Sequence, residues 1–410
     1  MLTKKPVNGM KDILPREMRI REYLLGIIKE TYRSFGFVQI ETPIVEHVSN
    51  LLSKQGGDNE KLIFKILKRG EKLSLESATS SDDLVDSGLR YDLTLPLARY
   101  YSNNASSLPS PFKVLQIGSV FRADRPQKGR FRQFTQCDID ILGDESYLSE
   151  VDLISATSLA LSRICPQNHF TVRINDRRIL RAMASYAHIG DELMSQTFIT
   201  LDKLDKIGVD GVSAELVELG ISFEDVQSYM GLLSSLGSGP SDVRGLGEKL
   251  GEHIEAGVAD RLADIMDMVS GSIVFDPTLV RGMGYYTGTI FEVTMDGLGS
   301  SVAGGGRYDE MIGKFTGTPT PACGFSIGFE RIITILMDSE FEVPDSSTKK
   351  AILVEKGVSS EQLRMAFARA DEARATGQTV TVLRMNKNKR FQKEQLAAAG
   401  YEEFEEVHRA

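Results

Sequence analysis

The densest charged run in the 410-residue chain is Phe121-Arg122-Ala123-Asp124-Arg125-Pro126-Gln127-Lys128-Gly129-Arg130-Phe131-Arg132-Gln133-Phe134. Guanidinium groups meet phosphate oxygens with paired hydrogen bonds and stay cationic at any working pH, so one reading is a triphosphate clamp. The other is a solvated hairpin tip. Gln136, Asp138 and Asp140 follow at once, on alternate positions. A row of carboxylates beside a cationic loop suits a ligand that carries both an ammonium group and phosphates. A second cluster, Leu279-Val280-Arg281-Gly282-Met283-Gly284-Tyr285-Tyr286-Thr287-Gly288, joins an arginine to two tyrosines and three glycines. It reads either as a place where glycine lets a ligand approach the backbone or as a tight turn into a strand. A third, Ala303-Gly304-Gly305-Gly306-Arg307-Tyr308-Asp309, is either a backbone surface beneath a flat ligand or a flexible strand end. It matches neither the Walker loop nor the dinucleotide fingerprint.

These runs need rigid elements to position them. After Pro15, apolar residues at Ile20, Tyr23, Leu24, Ile27, Ile28 and Phe35 have the spacing of one buried helix face. Gly36 ends that pattern, and Phe37–Pro43 reads as a strand at a sheet edge or end, because proline cannot donate to a ladder. Ile63–Leu73 predicts a hairpin around Arg69-Gly70-Glu71, and Lys113–Arg122 and Phe134–Leu142 predict strands on either side of the cationic loop. In the second of these, period two separates Gln136, Asp138 and Asp140 from Cys137, Ile139 and Ile141. A helix near Leu148–Ile164 and a strand at Thr171–Ile174 precede mainly helical periodicity over Asp176–Ser270. Strand signals return at Ile273–Phe275, Tyr285–Thr294 and Ser300–Ala303, with Asp296-Gly297 as a turn, and a helix is predicted to begin near Gly324. Beyond Glu342, Pro344-Asp345-Ser346-Ser347-Thr348 reads as a linker to a small alternating unit: Ala351–Glu355, Ser360–Ala375, Thr379–Leu383, Arg390–Gly400 and Glu403–Val407. The resulting segments are 1–175, a helical insertion at 176–270, 271–342, and an α/β tail at 349–410.

Composition narrows the class. The chain is 41% hydrophobic and 26% charged, as a globular protein is, and no stretch reaches the roughly 18 apolar residues that cross a bilayer. The start lacks the apolar run of a secretory signal, so the expectation is a cytoplasmic protein without a membrane partner. Cys137, Cys165 and Cys323 are scattered, as are the five histidines, so neither a disulfide framework nor a metal site is expected. A net charge of −9 argues against a non-specific coat on nucleic acid.

Together and in order, these runs resemble the histidyl-tRNA synthetase family over nearly the whole chain. Phe35–His47 resembles the first class II motif, a dimer-interface element ending in Pro43. Gly118–Gly143 resembles the second motif, with its arginine and acidic residue, and Gly324–Arg331 the third. Leu279–Thr287 and Ala303–Asp309 resemble the two histidine-specific motifs, and Leu89–Thr94 a further substrate-binding segment. The resemblance implies an α+β fold: a class II synthetase antiparallel-sheet catalytic core with a helical insertion, plus a short C-terminal α/β anticodon-binding-like domain. It implies a homodimer that activates histidine with ATP and Mg2+ and loads it onto tRNA(His).

By the same resemblance, Arg122 meets the ATP α-phosphate, Asp124 the adenine side, and Arg130 and Arg331 the outer phosphates. Asp92, Thr94 and Gln136 hold the histidine α-amino group, Asp140 and Tyr286 read the imidazole with Tyr285 beside them, and Arg281 is the catalytic arginine. Gln127 and Lys128 are the candidates for the tRNA acceptor end. Two departures stand out. Glycine occupies position 284, where the family usually has aspartate, and the C-terminal domain lacks what resembles its last third. The basic run Arg384, Lys387, Lys389, Arg390 and Lys393 suits either tRNA phosphates or a solvated helix start. The rival reading is a non-catalytic histidine-binding regulatory paralogue, like the regulatory subunit of ATP phosphoribosyltransferase.

Overall fold

A computed structural model of the chain describes residues 2–52, 59–126, 129–281, 286–298, 300–339, 341–344 and 348–409. Its strands are β1 (Val38–Ile40), β2 (Val45–His47), β3 (Lys65–Leu67), β4 (Val85–Leu89), β5 (Phe112–Phe121), β6 (Gln133–Leu142), β7 (Phe170–Asp176), β8 (Ser272–Phe275), β9 (Thr289–Met295), β10 (Ser301–Arg307), β11 (Ala322–Ile327), β12 (Lys349–Val354), β13 (Thr379–Arg384) and β14 (Glu403–Val407). They fall in two compact units, Met1–Phe341 and Glu342–Ala410.

The first unit is built on an eight-stranded sheet, ordered β1-β5-β6-β11-β10-β9-β7-β8. Its centre is antiparallel, and parallel pairs close both ends, β1 with β5 and β7 with β8. The helix Pro15–Ser34 starts with proline in its first turn, where no intrahelical N–H is needed, and buries Ile20, Leu24, Ile28 and Tyr32. It packs against Leu148–Ile164, a helix that buries Leu153, Ile154, Leu161 and Ile164. Gly36, at φ +84, turns the chain into the edge strand β1. Between β7 and β8 lie helices Arg177–Tyr186, Asp191–Leu201, Leu204–Glu218, Phe223–Ser234, Pro240–Leu250 and Val258–Met268. Because β7 and β8 pair in parallel, some crossover must join them, and this helical stretch is that crossover.

Local patterning fails in two places. The predicted hairpin around Arg69-Gly70-Glu71 is absent: β3 pairs with β4, and Gly70–Lys72 is a 3-10 turn. The helix predicted from Gly324 begins at Phe329, because Ala322–Ile327 is the strand β11. A run apolar on both faces cannot be told from a helix by periodicity, and β11 is covered on both sides.

In the second unit β12 lies between β13 and β14, both parallel to it. The helix Ser360–Ala375 is capped by Ser359 and buries Ala366 and Ala370 against Ile352, Val354 and Val380. Lys389 and Lys393 both pair with Glu406, at 2.7 and 2.6 Å, and hold its carboxyl down at about 2. Arg390 pairs with Glu394 at 3.0 Å, so three members of the basic run are engaged locally.

Candidate active site

The long hairpin of β5 and β6 carries the cationic run as its loop, with Phe121 opposite Gln133 at the rim. One face of β6 is Cys137, Ile139 and Ile141, buried in the apolar core. The other, Gln136, Asp138 and Asp140, lines a cavity, and here the simple inside–outside alternation ends. Asp138 and Asp140 are only 4% and 3% exposed, so the acidic row lies deep in a recess rather than on the outer surface.

Two adjoining cavities sit on this face, of about 340 and 410 Å3, within the range of small-ligand sites. The first is lined by Arg122, Asp124, Arg130, Phe134 and Arg331. The second is lined by Asp92, Thr94, Asp138, Asp140, Tyr286 and Tyr308. Arg122, Gln136, Arg281, Gly304 and Ser326 line both, so two arginines stand where the compartments meet. Of the residues singled out in the sequence, Arg122, Asp124, Arg130, Arg281 and Arg331 come together on the cationic side, and Asp92, Thr94, Gln136, Asp140 and Tyr286 on the acidic side. Tyr285, Gly284, Gln127 and Lys128 lie outside the described residues.

Three of these arginines, Arg122, Arg331 and Arg281, are each aimed by a specific acceptor. Arg122 donates through Nε to the Tyr91 carbonyl at 2.9 Å, and its guanidinium lies 5.1 Å from the Phe134 ring centre. Arg331 donates to the Ser301 carbonyl. Burial lowers the Arg331 pKa, and Arg281 and Arg130 nearby lower it further. Glu292 offsets part of this repulsion, and an anionic ligand between the arginines would offset more. Arg281 grips Glu292 with both ends of its fork, Nε to Oε2 at 2.5 Å and Nη2 to Oε1 at 2.6 Å. Glu292 is the supporting residue that the sequence reading missed. The available signal was a carboxylate on the otherwise uncharged strand Thr-Ile-Phe-Glu-Val-Thr-Met.

The three glycines of β10 are part of the strand rather than a loose end. A Cβ on Gly304 would lie 3.1 Å from Arg281 Nη1, and one on Gly306 would fall 2.9 Å from the Tyr286 ring. Bare backbone therefore lets both side chains lie flat across the sheet.

The acidic compartment carries unspent hydrogen-bonding capacity. Tyr308 donates its hydroxyl to Asp140 Oδ1 at 2.5 Å, while Asp140 Oδ2 is buried with no partner among the described residues. Gln136 Oε1 is likewise buried and unpartnered. Asp92 accepts the Leu95 backbone N–H at 3.1 Å, at the start of the helix Thr94–Asn104. Burial raises the pKa of Asp92, against the pull of that N–H and of Arg122. Burial also lifts Asp138 to about 7, opposed by bonds from Ser326 and Gln136 and reinforced by Asp92. Asp140 rises well above the usual carboxylate range through burial and the nearby Asp138, and burial likewise raises Tyr286. Such a cluster of acceptors calls for a ligand rich in N–H donors and positive charge.

The geometry agrees with what known proteins share with this chain. Residues 9–332 match the family model described as histidyl-tRNA synthetase. A histidine–tRNA ligase from Leifsonia xyli is 42% identical over 97% of this chain and 94% of its own length, and one from Bacteroides fragilis is 36% identical over 90% and 84%. Among solved structures, a histidyl-tRNA synthetase from Nostoc sp. PCC 7120 superposes with a TM-score of 0.81 at 27% identity, covering 98% of this chain and 90% of that one. An ATP phosphoribosyltransferase regulatory subunit/histidyl-tRNA synthetase from Bacillus halodurans shares the fold, with a TM-score of 0.79, 21% identity and 99% of each chain covered. A family match across most of the first unit, and relatives more than a third identical across most of their length, establish that the chain belongs to the histidyl-tRNA synthetase family.

Proposed function

We propose that this chain activates histidine with ATP, forming histidyl-adenylate and pyrophosphate, and then transfers histidine to tRNA(His). The observation that carries the reading is the pairing of the two compartments. A cationic cavity and an acidic one adjoin, with Arg122 and Arg281 at the junction. Histidine fits the acidic side: its ammonium takes the acceptors of Asp92, Thr94 and Gln136, and an imidazole N–H reaches Asp140 Oδ2 beside Tyr286. Its carboxylate then faces the junction, where the ATP α-phosphate lies. A carboxylate oxygen attacks the phosphorus in line, the bond to the pyrophosphate oxygen breaks, and Arg122 and Arg281 stabilise the charge that develops. No nucleophilic side chain is needed, because the substrate carboxylate is the nucleophile. In the second step a terminal ribose hydroxyl of tRNA takes the acyl group and AMP leaves.

Asp124 belongs to the adenine side, and Arg130 and Arg331 to the outer phosphates. Magnesium comes with the nucleotide. Among the described residues no group of three or more His, Cys, Asp or Glu is placed to hold a metal ion, and the phosphate end is lined by arginines, so phosphate oxygens and water are the fitting ligands. Gln127 and Lys128 remain the candidates for the tRNA acceptor end. A homodimer fits the exposed apolar residues at and beside the sheet edge, Val38 (50% exposed), Ile44 (42%) and Val45 (48%). The described residues contain no helix long and apolar enough to cross a membrane, and the three cysteines are free and buried, which suits the cytoplasm.

The regulatory-paralogue reading shares the fold but leaves the cationic compartment without a task. Histidine-dependent ATP–pyrophosphate exchange decides between them, run with a panel of other amino acids and with Arg281→Ala. Exchange with histidine alone, lost in the variant, supports the ligase. Histidine binding without exchange overturns it.

A further inference from the structure

Asp138 belongs to neither set of residues assigned to histidine above, yet it sits at the centre of the acidic compartment. On β6 it is two residues from Gln136, hence on the same face, and across the β6–β11 ladder its register partner is Ser326. The three side chains close a triangle. Ser326 donates its hydroxyl to Asp138 Oδ1 at 2.5 Å, and Gln136 Nε2 donates to Asp138 Oδ2 at 3.2 Å and to Ser326 Oγ at 3.2 Å. On the other side of β6, Gln116 faces Asp138 in register, but its amide is committed to the Leu93 carbonyl at 3.0 Å and the Thr42 hydroxyl at 3.2 Å.

An amide has one donating end and one accepting end, and this triangle permits one orientation. With Asp138 ionised, the Ser326 proton points at the carboxylate, so its oxygen is left to accept, and the carboxylate also accepts. A flipped amide would set Oε1 against two acceptors. Held as it is, Gln136 turns Oε1 into the cavity, where it is buried without a partner among the described residues. An unpaired buried carbonyl is costly, and a group with several N–H donors and no acceptor satisfies it.

We infer that Asp138 and Ser326 are positioning residues: they lock the Gln136 amide with its oxygen toward the ligand, and so make the site select an amino acid with a charged α-ammonium over analogues that lack it. This rests on the proposed histidine site. Neither residue acts on the reacting atoms, and the effect belongs in binding, in KM rather than kcat.

Isothermal titration of the full chain with L-histidine and with imidazole-4-propionate, which lacks the α-amine, tests this. Asp138→Asn lets either amide orientation be satisfied, and L-histidine binding is expected to weaken roughly tenfold while the desamino analogue is unaffected. Ser326→Ala shows the same selectivity with a smaller loss, and Ser326→Thr, which restores a hydroxyl, recovers it. In a Gln136→Ala background, neither Asp138→Asn nor Ser326→Ala has any further effect. Equal weakening of both ligands would make the triangle merely structural. A loss for L-histidine that persists without Gln136 would make Asp138 a direct partner of the ammonium. Either result overturns the inference. Should Asp138→Asn fail to fold, the Ser326 pair carries the same comparison. A wild-type chain that binds neither ligand refutes the histidine site itself, a different outcome from either of these.

Discussion

The two compartments of the site solve opposite electrostatic problems. On the cationic side, long arginine side chains are aimed by backbone carbonyls and by Glu292, and the Arg281 side chain is 41% exposed. On the acidic side, Asp138 and Asp140 stand buried on one strand, with Asp92 beside a helix start, and acceptors are left open. Like charges are crowded in both, so each suits a ligand of the opposite charge. The difference lies in where selectivity and rate reside. In the proposed site a preorganised cation near the junction stabilises charge that appears only during reaction, whereas a buried acceptor rejects any ligand that leaves it unpaired.

The sharpest way to break this division is at the junction. Arg281→Ala is expected to slow ATP–pyrophosphate exchange by about 100- to 1000-fold with little change in histidine KM. If KM rose and kcat held, Arg281 would belong to binding. Next comes Asp140→Asn, which keeps an acceptor for Tyr308 but turns an N–H donor toward the cavity. Steady-state kinetics should show histidine kcat/KM lower by about 10- to 100-fold and ATP KM unchanged. An equal effect on ATP would dissolve the boundary between the compartments. Glu292→Gln keeps the shape of the Arg281 support while removing its charge, and a loss of about tenfold in kcat is expected, smaller than that of Arg281→Ala. Gly304→Ala brings a methyl group to 3.1 Å from Arg281 Nη1, and about a few-fold loss in kcat measures how closely that arginine must lie on β10.

The smallest effect concerns pH. Asp138 titrates at about 7 in the fold, against about 4 in an unfolded chain, with Asp92 and Asp140 raised as well. Between those values the fold holds more protons than the unfolded chain, so stability falls as pH rises through the window and the loss is complete above the folded pKa. Arg122, Ser326, Gln136 and Tyr308 face the cluster and moderate this. Melting curves of the chain alone should therefore show stability falling between about pH 5.5 and about pH 7.5, and Asp138→Asn should flatten the part centred near 7. A melting temperature independent of pH in both proteins would show that the Asp138 carboxyl is not raised by its burial.

Much of this was legible in residue order alone. The helices Pro15–Ser34 and Leu148–Ile164, the strands flanking the cationic run and the alternation on β6 are local patterns, because side-chain periodicity is a property of a few consecutive residues. Residue types also drew attention to the cationic run, the acidic row of β6 and the Arg281 segment, whereas Asp92, Thr94 and Arg331 came only from the family resemblance. What sequence could not supply was distance across the sheet. The pairing of Arg281 with Glu292, the bond from Tyr308 to Asp140, and the triangle of Gln136, Asp138 and Ser326 all join residues brought together by strand register. The same dependence explains the missed hairpin near Gly70 and the strand taken for a helix at Gly324: β3 found its partner in β4, and β11 is buried on both faces. Side-chain chemistry is written in the chain, but which acceptor remains unpaired is decided only when long-range strand pairing fixes every neighbour.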